Sequence, residues 1–103
     1  MNIFQEYINK ITALILKNQK LLKLDNLNNF KGIVVESPPA EFNFDLSCNA
    51  GLVLGKINMI NPRELANKIK DLILKDLKDF EKIEIAGPGF LNLRFTNESL
   101  ISN

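Results

Sequence analysis

Gly87-Pro88-Gly89-Phe90-Leu91-Asn92-Leu93-Arg94-Phe95 reads as a tight turn feeding a β-strand. Successive strand side chains point to opposite faces, so Leu91, Leu93 and Phe95 can enter a core while Phe90, Asn92 and Arg94 share the other face. Just upstream, Lys82-Ile83-Glu84-Ile85-Ala86 alternates in the same way, with Ile83 and Ile85 inward. The two runs pair as a hairpin through Gly87-Pro88-Gly89. The outward face then carries an aromatic ring, an amide and a guanidinium in a row. Such groups can stack on a base, hydrogen-bond its edge and meet a phosphate, which is what holding an unpaired RNA base requires.

Working back from the hairpin, Asn61-Pro62-Arg63-Glu64 opens a long helix, with Asn61 as N-cap, Pro62 at the first helical position and Glu64 placed to reach back to the cap. Leu65, Ala66, Ile69, Leu72, Ile73 and Leu77 line one side of it. Leu46, Ala50, Val53, Leu54 and Ile57 fall at helical spacing, with Ser47 or Asn49 available as cap. Phe44-Asp45-Leu46-Ser47 and Gly32-Ile33-Val34-Val35-Glu36 read as short strands. Between them, Ser37-Pro38-Pro39 sets a stiff, extended loop through Asn43. Phe4, Tyr7, Ile8, Ile11, Leu14 and Ile15 form the apolar stripe of a first helix from about Ile3 to Asn18, and Leu24 to Asn29 is a run of turn formers. The expected fold is α+β, a two-layer sandwich of a small, about four-stranded sheet with helices on one face. Residues 1–96 form the domain, and residues 97–103 read as a linker or a truncated helix from which a larger protein is expected to continue.

A chain of 103 residues with 46% apolar and 24% charged residues can bury one core without metals or disulfides. Cys48 has no second cysteine to pair with and reads as a small buried apolar residue in a reducing compartment. No run approaches the ~20 apolar residues of a membrane span, and Met1 to Glu6 lacks a signal-peptide pattern, so a cytoplasmic location with no membrane partner is expected. Histidine is absent, which removes Ser-His and Cys-His nucleophile systems and the commonest zinc ligand. The net charge of +1 is low for an autonomous nucleic-acid binder, although Lys10, Lys17, Lys20 and Lys23 cluster early while Glu36, Glu41 and Asp45 dominate the middle.

Each candidate has a plainer reading beside it. Phe90 can pack on a helix, Arg94 can pair with Glu84 across the hairpin, and Asn92 is a poor strand former unless it faces water or a partner. Asp45, Ser47 and Asn49 lack the further carboxylates of a hard-cation loop and read as caps and braces, so no metal site is expected. Gly87 and Gly89 serve the turn; no helix follows them to bind phosphate. A small enzyme built on Glu36, Glu41 and Asp45 lacks an assembled nucleophile and base, so no catalytic residue is assigned.

Val35-Glu36-Ser37-Pro38-Pro39, Asp45-Leu46-Ser47-Cys48-Asn49-Ala50 with Leu54-Gly55-Lys56, Asn61-Pro62-Arg63-Glu64-Leu65-Ala66 and Ile85-Ala86-Gly87-Pro88-Gly89-Phe90-Leu91-Asn92 occur in an order that resembles the N-terminal additional domain of bacterial arginyl-tRNA synthetases, from about Gly32 to Phe95. The resemblance implies a module that contacts the D-loop at the corner of arginine tRNA and adjoins the catalytic domain of the same chain. The parent is a class I aminoacyl-tRNA synthetase, expected to be a monomer, that ligates arginine to tRNA with ATP and Mg2+. No cofactor is implied for this module, which should bind without catalysing. Carried over by position, Phe90 is the base-stacking aromatic and Asn92 its polar partner. Arg94, from the alternation above, completes the expected RNA-binding set. Gly87 replaces a polar residue of some relatives, and Phe44 replaces the usual glycine before Asp45. The rival expectation is a structural module whose outward strand face packs against a partner domain.

Overall fold

Three- and four-residue spacing of Tyr7, Ile11, Leu14 and Ile15 winds the first segment into α1 (Ile3–Lys17), in a computed structural model that describes residues 2–102. Asn2 caps it, its side-chain oxygen accepting from the Phe4 N–H at 2.7 Å. The turn formers that follow include a left-handed run at Asn28, Asn29 and Phe30, with φ of 50°, 53° and 57°. Then come β1 (Val35–Glu36), a single 3-10 turn at Ala40–Phe42, β2 (Leu46–Cys48), α2 (Ala50–Ile57), α3 (Pro62–Asp76), β3 (Phe80–Ala86), β4 (Phe90–Phe95) and α4 (Asn97–Ser102). The sheet runs β1-β2-β4-β3 and every pair is antiparallel. Its inner face packs on α1 and α3 around a core in which Tyr7, Ile11, Ile69, Ile73, Leu91 and Leu93 are buried. This is the expected α+β arrangement, and none of the described helices is long and apolar enough to cross a membrane.

Four local expectations change. Of the Gly32–Glu36 run only Val35 and Glu36 pair with β2, because Gly32 has φ +83° and the Val34 N–H is taken by the Asn49 side chain at 2.8 Å. Asn49 therefore leaves the α2 N-terminus without a side-chain cap and instead bridges two loops, its amide nitrogen donating to the Gly32 carbonyl at 2.9 Å. The loop after Pro38-Pro39 is not extended throughout, since the Pro39 carbonyl accepts from the Phe42 N–H at 3.0 Å and closes a turn that needs no N–H from proline. Asn61 caps α3 as expected, accepting from Arg63 and Glu64 N–H at 3.0 and 3.1 Å, but the Glu64 side chain makes no return bond among the described residues. The tail after β4 is helical, with Thr96 Oγ1 accepting from the Ser99 N–H at 3.1 Å.

The hairpin tip is fixed by contacts that leave no room for side chains. Gly89 has φ +125°, and a Cβ there would sit 2.9 Å from Pro62 Cβ and 3.0 Å from the Leu52 nitrogen. Its carbonyl accepts from the Leu52 N–H at 3.2 Å, while Arg63 donates to the Gly87 carbonyl. On the other side of the same junction, a Cβ on Gly51 would stand 2.6 Å from Ala66 Cβ and 2.8 Å from the Gly89 oxygen. Cys48, in β2 beside Leu91, is buried, and burial pushes its thiol up to about 11. Gly51→Ala is expected to lower stability by about 1–3 kcal/mol through overpacking, read as an earlier urea midpoint with an unchanged slope.

The opposite end of the sheet is closed by polar contacts on an aromatic cluster. The Tyr7, Phe80 and Phe95 rings lie 5.1 to 5.3 Å apart, and the buried Tyr7 hydroxyl donates to Asp79 at 2.6 Å. Lys10 reaches the same carboxylate oxygen at 3.1 Å. Burial alone would raise the Asp79 carboxyl, but the hydrogen bonds from Tyr7 and Lys10 more than reverse this and hold it below its ordinary value. A carboxyl depressed in the folded state stabilises fully above its unfolded value of 3.8, and that contribution fades as pH falls through the lower folded value. Asp79→Asn should therefore cost about 1 kcal/mol at neutral pH, and its deficit against the wild type should shrink below pH 3.8 in urea melts run across the acid range.

Candidate nucleic-acid interface

Strand alternation and register put the expected residues where the sequence reading had them. Leu91, Leu93 and Phe95 are buried in the core, and Phe90, Asn92 and Arg94 lie on the opposite face of β4. Ser47 and Glu84 flank Asn92 on the neighbouring strands, and Glu36 stands beside Ser47, so one polar row crosses the sheet as Glu36, Ser47, Asn92, Glu84. This face is not bare, however. The segment Ser37–Phe44 crosses it, and Asn92 is only 7% exposed. Alternation predicts which way a strand residue points; it does not predict what a loop elsewhere lays over it.

The loop leaves two depressions on either side of Phe42. One, of about 300 Å³, is lined by Pro38, Phe42, Ser47, Pro88, Phe90 and Asn92 together with Glu36 at its edge. The other, of about 380 Å³, is lined by Glu41, Phe42, Phe44, Glu84, Ala86 and Asn92. Asn92 forms part of both, and its side-chain amide makes no hydrogen bond among the described residues, although each of its buried-side atoms keeps some access to the cleft. The residue is buried, but its amide nitrogen and oxygen are not sealed off, so both stay open to a group entering the cleft. Phe90 beside it is half-buried, and its ring stacks on no other aromatic among the described residues.

Arg94 takes different partners from those expected. The regular register of the hairpin sets Lys82 opposite Arg94 and Glu84 opposite Asn92; Glu84 pairs with Lys82 at 3.1 Å, and Arg94 reaches Glu81, at the irregularity between Phe80 and Lys82, at 3.7 Å. Its Nε donates to the Asn43 carbonyl at 3.3 Å, and its guanidinium carbon lies 5.2 Å from the centre of the Phe44 ring. Arg94 thus braces the covering loop, while its second terminal nitrogen makes no hydrogen bond among the described residues. Asp45 performs a similar service, accepting from the Phe95 N–H at 2.8 Å and donating its own N–H to Leu93. The sequence reading had no route to Phe42 as a cleft residue; its only signal was an apolar side chain in a proline-stiffened loop with no strand or helix period to bury it.

A four-stranded antiparallel sheet with helices on one face and a loop-covered cleft on the other defines a small α+β domain, and sequence comparison gives its family. A family model described as "Arginyl tRNA synthetase N terminal domain" matches residues 2–95, and the chain belongs to that family. It is similar to the arginine–tRNA ligase of Pelagibacter ubique, 39% identical over 95 residues, covering 92% of this chain and 16% of that protein. It is also similar to the arginine–tRNA ligases of Rickettsia prowazekii, 38% identical and covering 96% of this chain, and of Bartonella tribocorum, 39% identical and covering 93%, again with 16% of each relative spanned.

Since the Asn92 amide bonds to nothing among the described residues and asparagine is a weak strand former, Asn92→Val should raise stability by roughly 0.5–1 kcal/mol. A later urea midpoint for this variant checks that the amide is kept at the expense of the fold.

Proposed function

We propose that the chain is the tRNA-recognition module of an arginyl-tRNA synthetase, and that it holds an unpaired base of the D-loop, at the corner of arginine tRNA, in the cleft over Asn92. The observation that carries this reading is the Asn92 amide itself, unbonded among the described residues and open to the cleft that Phe90 also lines. An amide offers both donors and an acceptor to a base edge, and a phenyl ring stacks on any base for about 1–3 kcal/mol. Phe90 would supply affinity and Asn92 selectivity. Glu36, Glu41 and Glu84 around the cleft repel phosphate, which favours entry of the base ahead of its backbone. Arg94, two residues beyond Asn92 on the same face of β4 and with one terminal nitrogen unbonded among the described residues, is the group suited to meet an adjoining phosphate.

In the parent enzyme the ligation of arginine to tRNA, with ATP and magnesium, belongs to the catalytic domain of the longer chain, and this module contributes binding only. Few cations face the cleft, so binding by this module alone should be weak and only modestly salt-dependent.

Chemical-shift mapping against arginine tRNA, and against the same tRNA with the exposed D-loop base replaced, tests the reading at low salt. Shifts should concentrate at Phe90, Asn92 and Arg94 and collapse on replacement. Absent shifts, or equal shifts at the lysines for both RNAs, would assign the face to packing against a neighbouring domain instead.

A further inference from the structure

Phe42 has no account in the fold. It is a large aromatic, 52% exposed, at the end of the turn Ala40–Phe42, and it belongs to no part of the core. Leaving such a ring in water forgoes the stabilisation that burial would give. The backbone that carries the ring is nonetheless braced. Pro38 and Pro39 stiffen the approach, Asn43 follows in a left-handed conformation with φ 56°, and Arg94 fixes the Asn43 carbonyl at 3.3 Å. Phe44, the next aromatic, lies under Arg94 and Lys82, at 5.2 and 5.9 Å from their charged ends. The loop is therefore braced on both sides of Phe42 while Phe42 itself is left uncovered.

The same ring lines both depressions that have Asn92 in their walls, and in the first it shares the lining with Phe90. We propose that Phe42 is a second stacking residue, so that a base whose edge meets Asn92 is enclosed between the Phe42 and Phe90 rings. This rests on the base-binding reading above and extends it to the covering loop. It accounts for two otherwise separate facts together: an exposed ring on a braced loop, and an amide that is open to the cleft and unbonded among the described residues. Preorganisation of both rings lowers the ordering cost of binding, since neither has to be recruited from a mobile segment.

Arginine tRNA is titrated, at low salt, into the wild-type chain and into Phe42→Ala, Phe42→Leu, Phe42→Trp and Phe90→Ala, each first checked by thermal unfolding. Phe42→Ala should weaken binding about 5- to 150-fold, the range expected for one lost stack. Phe42→Leu should recover only part of the loss, and Phe42→Trp should bind at least as well as the wild type. Because the ring is exposed, the melting temperature should hardly move. Wild-type affinity in Phe42→Ala alongside weakened binding in Phe90→Ala overturns the second wall and leaves the base-binding reading intact. Full recovery by Phe42→Leu also overturns it, replacing stacking by simple apolar contact. Wild-type affinity in both alanine variants removes the base-binding reading as well.

Discussion

The structure depends on a junction where three backbone segments meet with almost no side-chain volume between them. Gly51 at the start of α2, Ala66 in α3 and Gly89 in the hairpin turn approach until an added methyl would stand 2.6 Å from one neighbour and 2.8 Å from the other. The Leu52 to Gly89 hydrogen bond and the Arg63 contact to Gly87 then tie both helix N-termini to the turn. Phe90 follows Gly89 directly, so the same packing that joins helices to sheet also sets where β4 begins and which of its residues face the cleft. Moving the turn by one residue would exchange the two faces of β4 and send Asn92 into the core.

Above that frame, the cleft trades stability for an available amide. Within the polar row Glu84 pairs with Lys82 at 3.1 Å, whereas the Glu36, Ser47 and Asn92 side chains make no hydrogen bond among the described residues. Around them Arg94, bonded to the Asn43 carbonyl, and the two prolines brace the loop that crosses the face. Binding sites commonly retain unfavourable local features of this kind, and the surrounding packing keeps them in place.

Much of this was legible in the sequence. Period-two alternation in β3 and β4, the three-and-four spacing of α1 and α3, and the Asn61-Pro62 start signal are local patterns, and each formed as read. The motif order from Val35 to Asn92 resembled the family that the chain proved to match over residues 2–95. What escaped were choices between competing partners. Asn49 is a suitable cap by type, yet the unpaired Val34 N–H and Gly32 carbonyl claim it. Arg94 and Glu84 are compatible by alternation, yet the hairpin register sets Lys82 opposite Arg94 and Asn92 opposite Glu84. The covering of Asn92 by a loop some fifty residues distant has no local signature at all.

The charge distribution separates the two tasks a tRNA contact can perform. Lys17, Lys20 and Lys23 lie at and beyond the end of α1, on the helical side of the molecule, whereas the cleft on the far face is edged by Glu36, Glu41 and Glu84. A module that gripped RNA chiefly by its backbone would place its cations around the site, since phosphate neutralisation supplies most non-specific affinity. On the proposed reading this one instead tests a base while contributing little general attraction. Such a contact gains its strength from being tethered to a larger body already bound to the same RNA, because tethering raises its effective concentration to the millimolar range without any new interaction. Selectivity then comes at low intrinsic affinity: a wrong base loses the Asn92 bonds, and no bed of phosphate contacts remains to hold it.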